Sequence, residues 1–226
     1  MVGRVLVCVA GLLFVGASPV ATRPVATTNP ASPLLARAYR MLAALKSTTY
    51  QHVTDIDEGT GEYYCDCSGF VSYLLRKEMP AQYAAVRFPK PFRHPRAVEF
   101  HDAFAAAPTE RVEGKKWMRI VRLAEARAGD VAAWRKATIP EQGVTGHTVL
   151  FDSTPEPVAA DVYEVVVIDS TSRPHRDDTR DGDETGVGRG TIYLRVDAAG
   201  RPVAFATRSS DGPFTPYSIA IGRPVR

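Results

Sequence analysis

Apolar residues recur at helical spacing in two stretches of the first third of the chain. Leu34, Leu35, Ala38, Met41, Leu42 and Leu45 make one stripe behind Ser32-Pro33, an N-cap serine followed by proline at the first helical position. Phe70, Val71, Leu74 and Leu75 make a second, which predicts a helix that opens at Cys67 and is ended by Glu78-Met79-Pro80. Between them, Lys46 to Gly61 is polar and turn-rich, carries Tyr50, His52, Asp55, Asp57 and Glu58, and is expected to wall a cleft. Residues 80–120 fit no single pattern: Phe88 to Pro95 is too proline-rich for regular structure, and Ala97 to Ala107 reads as a helix exposing Glu99 and Asp102.

From Trp117 onward the period changes to that of strands. Val131 to Trp134, Gly146 to Phe151, Tyr163 to Ser170, Thr191 to Val196 and Val203 to Arg208 are the predicted strands, with Tyr217 to Ile221 a further one. Ala128-Gly129-Asp130 and Asp197-Ala198-Ala199-Gly200 supply turns, the second of them a hairpin. Helices first and hairpin-linked strands afterwards predict an α+β domain, with an antiparallel sheet packed on the Cys67 helix.

Composition fits one globular domain: 226 residues, 45% hydrophobic and 23% charged. The net charge of +3 is spread among acidic residues without a basic run, which argues against nucleic-acid binding. The N-terminus has the organisation of an export signal: a short basic start at Met1 to Arg4, an apolar stretch from Val5 to Val15, and a small-residue site at Val15-Gly16-Ala17. That apolar stretch falls short of the roughly 20 residues a membrane-spanning helix needs. The expected organisation is a signal peptide at 1–17, a Pro/Thr/Ala/Ser-rich spacer at 18–32, and one domain at 33–226 interrupted by an insertion at about 80–120. The mature protein is then exported, periplasmic or secreted, with no stable membrane anchor, and monomeric.

Removal of the signal takes Cys8 with it and leaves Cys65 and Cys67 in an oxidising compartment. Two residues apart, they would close a strained ring, so a structural disulfide is a poor explanation. A thiol at the first turn of a helix is better placed, because the unpaired N–H groups and positive dipole end there favour a thiolate nucleophile. Ordinary burial of both cysteines is the plain alternative. A metal site drawing on Cys65, Cys67 and His52 or His147 is another, weakened by a spacing closer than zinc sites use and by the lack of a second cysteine pair.

Other marked residues have plainer readings. His94 and His101 read as surface or packing histidines, and Trp117 and Trp134 as core. The acidic run His175 to Glu184 lacks the order of a calcium loop and reads as a solvated loop, Arg176 and Arg180 offsetting its charge. Gly186 to Gly190 precedes a strand and not a helix, which disfavours phosphate binding. No organic cofactor is expected.

Taken in order, Asp66-Cys67-Ser68-Gly69-Phe70-Val71, then Ala128-Gly129-Asp130-Val131, then Gly146-His147-Thr148-Val149 resembles the NlpC-type cell-wall cysteine peptidases, a papain-like superfamily. The resemblance covers roughly residues 32–170 apart from the insertion. It implies a papain-like α+β fold and a Cys67 nucleophile with His147 as general base. The third position, often another histidine in that family, falls on Asp169, and a carboxylate there can orient the imidazole. Tyr50 matches the tyrosine upstream of the cysteine turn, although Gln51-His52 replaces the glycine pair that usually follows. Asp66 is expected to hold a substrate amino group or to cap the helix; Ser68 joins Tyr50 and Asp66 as a substrate-side residue. The implied function is an exported cysteine endopeptidase or amidase acting on peptidoglycan stem peptides. A secreted, wall-associated binding protein on the same scaffold, or an acyl transferase, are the other readings.

Overall fold

The structure is a computed structural model describing residues 32–226. The expected signal peptide, and all of the spacer but Ser32, lie outside the described residues. The chain is mixed α and β, helices preceding most strands. In order it forms α1 (Pro33–Ala44), β1 (Ser47–Tyr50), β2 (Asp55–Asp57), β3 (Glu62–Cys65), α2 (Cys67–Glu78), α3 (Pro80–Ala84) and α4 (Ala97–Ala105). Then come β4 (Trp117–Ile120), β5 (Val131–Arg135), β6 (Gly146–Phe151), β7 (Glu156–Pro157), β8 (Val162–Thr171), β9 (Gly186–Val196), β10 (Pro202–Ala206), β11 (Thr215–Pro216) and β12 (Ser218–Pro224).

The second half builds an antiparallel sheet in the order β11-β10-β9-β8-β6-β5-β12-β4, with β7 pairing on β8. Alternation along its strands separates two cores. Val131, Ala133, Leu150, Ile168 and Ala220 face the helices, where they bury Leu34, Leu35, Ala38 and Met41 of α1 and Phe70, Val71, Leu74 and Leu75 of α2. Ala132, Trp134, Val149, Phe151, Val165, Val167, Ile192, Leu194 and Ile221 form a second core on the opposite face. Both helical stripes expected from the sequence are therefore core stripes. Among the described residues, no helix is long and apolar enough to cross a membrane.

Three features go beyond the expected pattern. The polar stretch before the cysteine turn is a small sheet of its own, β3 lying between a parallel β1 and an antiparallel β2. β1 and β2 are too short and too exposed to carry a hydrophobic period. The segment 80–120 is largely ordered by packing: α4 lies against β5 and β12, with Phe104 tilted against Trp117 at 4.6 Å between ring centroids. The glycine-rich stretch 186–190 belongs to β9 and does not precede it. A Cβ on Gly188 would sit 2.5 Å from Nε of Arg180, and one on Gly190 2.8 Å from Oδ2 of Asp178, so these glycines leave room for the side chains of Asp178 and Arg180 to lie on the strand.

Candidate active site

The site forms where the helical layer meets an opening in the sheet. Hydrogen-bonded pairing between β6 and β8 is confined to Leu150↔Ile168 and Phe151↔Val167, so the strand ends bearing His147 and Asp169 splay apart. The Cys65–Cys67 turn enters there, anchored by the Ser170 hydroxyl, which donates to the Cys65 carbonyl at 2.6 Å. The small sheet is fixed to the start of β9 by two bonds: the Val187 N–H donates to Thr48 Oγ1 at 2.8 Å, and the Tyr50 N–H to Thr185 Oγ1 at 3.1 Å. Cys67, His147, Asp169 and Tyr50, far apart in the chain, thereby converge.

Asp169 is the hub. Its carboxylate is fully buried, and its Oδ2 accepts from Nε2 of His147 at 2.6 Å and from Nε2 of His175 at 2.8 Å; its Oδ1 accepts from the Arg180 guanidinium at 3.1 Å. Burial alone would push this carboxyl up, but the charges of His175 and Arg180, with the histidine hydrogen bonds, hold it well below the usual carboxylate range. Arg180 is in turn held by Asp178, Nε to Oδ1 at 2.7 Å. An ionised carboxylate only accepts, so both Nε2 atoms carry protons, and Nδ1 of His147 is left free of the carboxylate.

His147 is poised as an imidazolium. Its burial disfavours the charge, but the influence of Cys67 and the Asp169 hydrogen bond outweigh that and raise its pKa from 6.5 to about 9. The sulfur thus lies close enough to act on the imidazole through its charge, and contacts between such partners commonly tighten only with substrate bound. Because the folded pKa lies above the unfolded value, His147 stabilises the fold fully below about pH 6.5 and loses that contribution as pH rises toward 9. Thermal midpoints of wild type and His147→Gln should therefore converge between those two pH values; a constant gap would contradict the assignment.

Tyr50 is half-buried beside the nucleophile. Burial, the charges of Cys67 and Asp66, and a hydrogen bond to Cys67 raise its pKa, so it remains a phenol able to donate toward the sulfur or an attacked carbonyl. Asp66 caps α2: its Oδ1 accepts from the Gly69 N–H at 2.7 Å and from the Ser68 hydroxyl at 3.0 Å, while Oδ2 lies 3.3 Å from Nδ1 of His52. Ser68 is buried and its hydroxyl is taken up by that cap. Asp66→Ala should cost about 1 kcal/mol, read as a fall of about 2–4 °C in thermal midpoint.

Two histidines not singled out as site residues lie close by. His94, from the proline-rich segment, is 3.3 Å from Thr54 Oγ1 and lines a cavity of about 840 Å³ together with His52 and Asp66. His175 is the more consequential. The run 175–184 is exposed at Asp177, Asp181, Asp183 and Glu184, but it turns His175 and Arg180 inward onto Asp169, with Asp178 pairing to Arg180, which corrects the expectation of a merely solvated loop. Its acidic composition concealed this. The signal was the alternation of His and Arg with Asp beside glycines that leave no Cβ in the way.

Cys65 is fully buried, and burial pushes its thiol up to about 12, which makes it a poor metal ligand. Among the described residues, the side chains close enough to share an ion are His147, Asp169 and His175, with ligand atoms within 4.8 Å of one another. Their two N–H groups already point at one carboxylate oxygen, and the Arg180 cation abuts the other, an arrangement that fits hydrogen bonding better than metal coordination.

No protein-family model matches the chain, and no solved structure matches it. The chain is 29% identical over 159 residues to the uncharacterized protein R653 of Acanthamoeba polyphaga mimivirus, a similarity that spans 62% of this chain and 67% of that protein.

Proposed function

We propose that the protein is a cysteine hydrolase of the papain-like, NlpC-type kind that cleaves amide bonds through Cys67, His147 and Asp169. The observation that supports this reading most is the convergence of a helix-start thiol, a charged imidazole and a buried carboxylate at one opening. Cys67 attacks the amide carbon. The Cys67 and Ser68 N–H groups, which by position have no acceptor within the helix, face the developing oxyanion. His147 gives its proton to the departing amine, and Asp169 keeps the imidazole in the orientation that allows it. Water then hydrolyses the thioester, with His147 taking back a proton.

The sequence resemblance and the N-terminal pattern support an exported enzyme acting on peptidoglycan stem peptides. The cleft bordered by Tyr50 and His147, and the cavity bordered by His52 and by His94 from the insertion, provide the surfaces such a peptide would meet. Incubation with purified peptidoglycan, followed by mass spectrometry of the released fragments, tests this: new amine and carboxyl ends are expected. Since the imidazolium is the proton donor, turnover should fall as pH rises through about 9; a rate still climbing above that point would exclude His147 from the role. Iodoacetamide labelling near neutral pH separates an enzyme from a binding protein on the same scaffold, because only a reactive Cys67 is alkylated selectively.

A further inference from the structure

A cleft of about 480 Å³ is lined by His147 and does not include Asp66, which lines the larger cavity. Its wall is a run of rings: Tyr217 stands 5.5 Å from Phe205, Phe205 4.9 Å from Trp134, and Trp134 5.3 Å from the imidazole of His147. Lys136 and Arg173 line the same cleft, and no aspartate or glutamate does. Neither cation takes part in an ion pair among the described residues, in contrast to Arg180, Arg189 and Arg223, each of which faces an aspartate.

We infer that this cleft receives the amine half of the scissile amide and recognises a carboxylate carried by that half. The inference rests on the cysteine-hydrolase reading for its orientation. The group that protonates the leaving nitrogen must touch it, so the cleft bounded by the imidazole takes the amine side. The larger cavity beyond Asp66 and His52 takes the acyl side. In the step itself the Cys67 Sγ–carbon bond forms, the carbon–nitrogen bond breaks, and the proton on His147 passes to the nitrogen, releasing a neutral amine beside the rings. An apolar side chain on the leaving residue packs on Phe205 and Tyr217, and its carboxylate meets Lys136 and Arg173. The preferred substrates are then amides whose departing amine is an amino acid with a free carboxylate close to the cleaved bond.

The test needs no turnover. N-acetyl-phenylalanine and N-acetyl-phenylalaninamide, which differ only in the carboxylate, are titrated by calorimetry into Cys67→Ala protein. The acid should bind about tenfold more tightly than the amide, and the preference should shrink with added salt. It should also vanish in Cys67→Ala protein carrying Lys136→Gln and Arg173→Gln, two positions at the surface whose replacement leaves the core intact. Equal binding of the two probes, binding of neither at millimolar concentration, or a preference that survives loss of both cations would overturn the inference. If the acid is preferred but wild-type protein hydrolyses no peptide amide, the hydrolase reading fails while the carboxylate site stands.

Discussion

Replacing Cys67 with Ala is expected to lower amide hydrolysis by about 10³-fold or more, and His147→Ala to do the same, because nucleophile and proton carrier act as one unit. The two changes differ in what else they disturb. Cys67 ends a turn whose anchors are the Ser170 bond to the Cys65 carbonyl and the Asp66 cap, neither of which involves the sulfur. Cys67→Ala should therefore keep its circular dichroism and its thermal midpoint within a few degrees. His147→Ala leaves Asp169 with His175 and Arg180, so it too should fold, and added imidazole should restore part of its activity, since the side chain borders an open cleft. Full activity in either variant, measured on a peptide amide, would remove the proposed chemistry.

Asp169→Asn is the second large effect, and it strikes stability as well as rate. Three donors converge on the carboxylate, and an amide offers one acceptor oxygen and an NH2 with two competing donors, so at least one N–H is left facing another. The Arg180 guanidinium, almost fully buried, loses one of its two counterions. Breaking a buried, hydrogen-bonded charge network of this kind costs about 3–5 kcal/mol, and the midpoint of urea unfolding should drop accordingly. Turnover should fall by about 10³-fold through the loss of imidazole orientation, and the alkaline limb of its pH profile should move below 9, since Asp169 helps to hold the proton on His147. Near wild-type rate together with an unchanged unfolding midpoint would show that this carboxylate neither orients nor stabilises.

The layer order, both core helices and the longer strands were legible in the sequence because each carries a strong hydrophobic period and punctuation at its ends. Ser32-Pro33 starts α1, and Asp66 and Pro80 bracket α2. Cys67 stood out by its place at a helix start, whereas His147 and Asp169 were picked out through the family resemblance; the structure brings those two side chains together at 2.6 Å. What escaped notice has no period to reveal it. β1 and β2 are exposed and held by backbone pairing to β3, and β9 begins with glycines that look like a loop until the buried side chains above them are seen. His175 and Arg180 escaped because a charged run of that composition is ordinarily solvated; only the closeness of Asp169 turns it inward.

The splay between β6 and β8 has a mechanical consequence. Sulfur and imidazole belong to different layers, and they touch only while the helical layer is docked on the sheet. Reactivity of Cys67 is therefore a gauge of that docking: in mild denaturant, alkylation should slow while the sheet's hydrogen bonds still resist amide exchange.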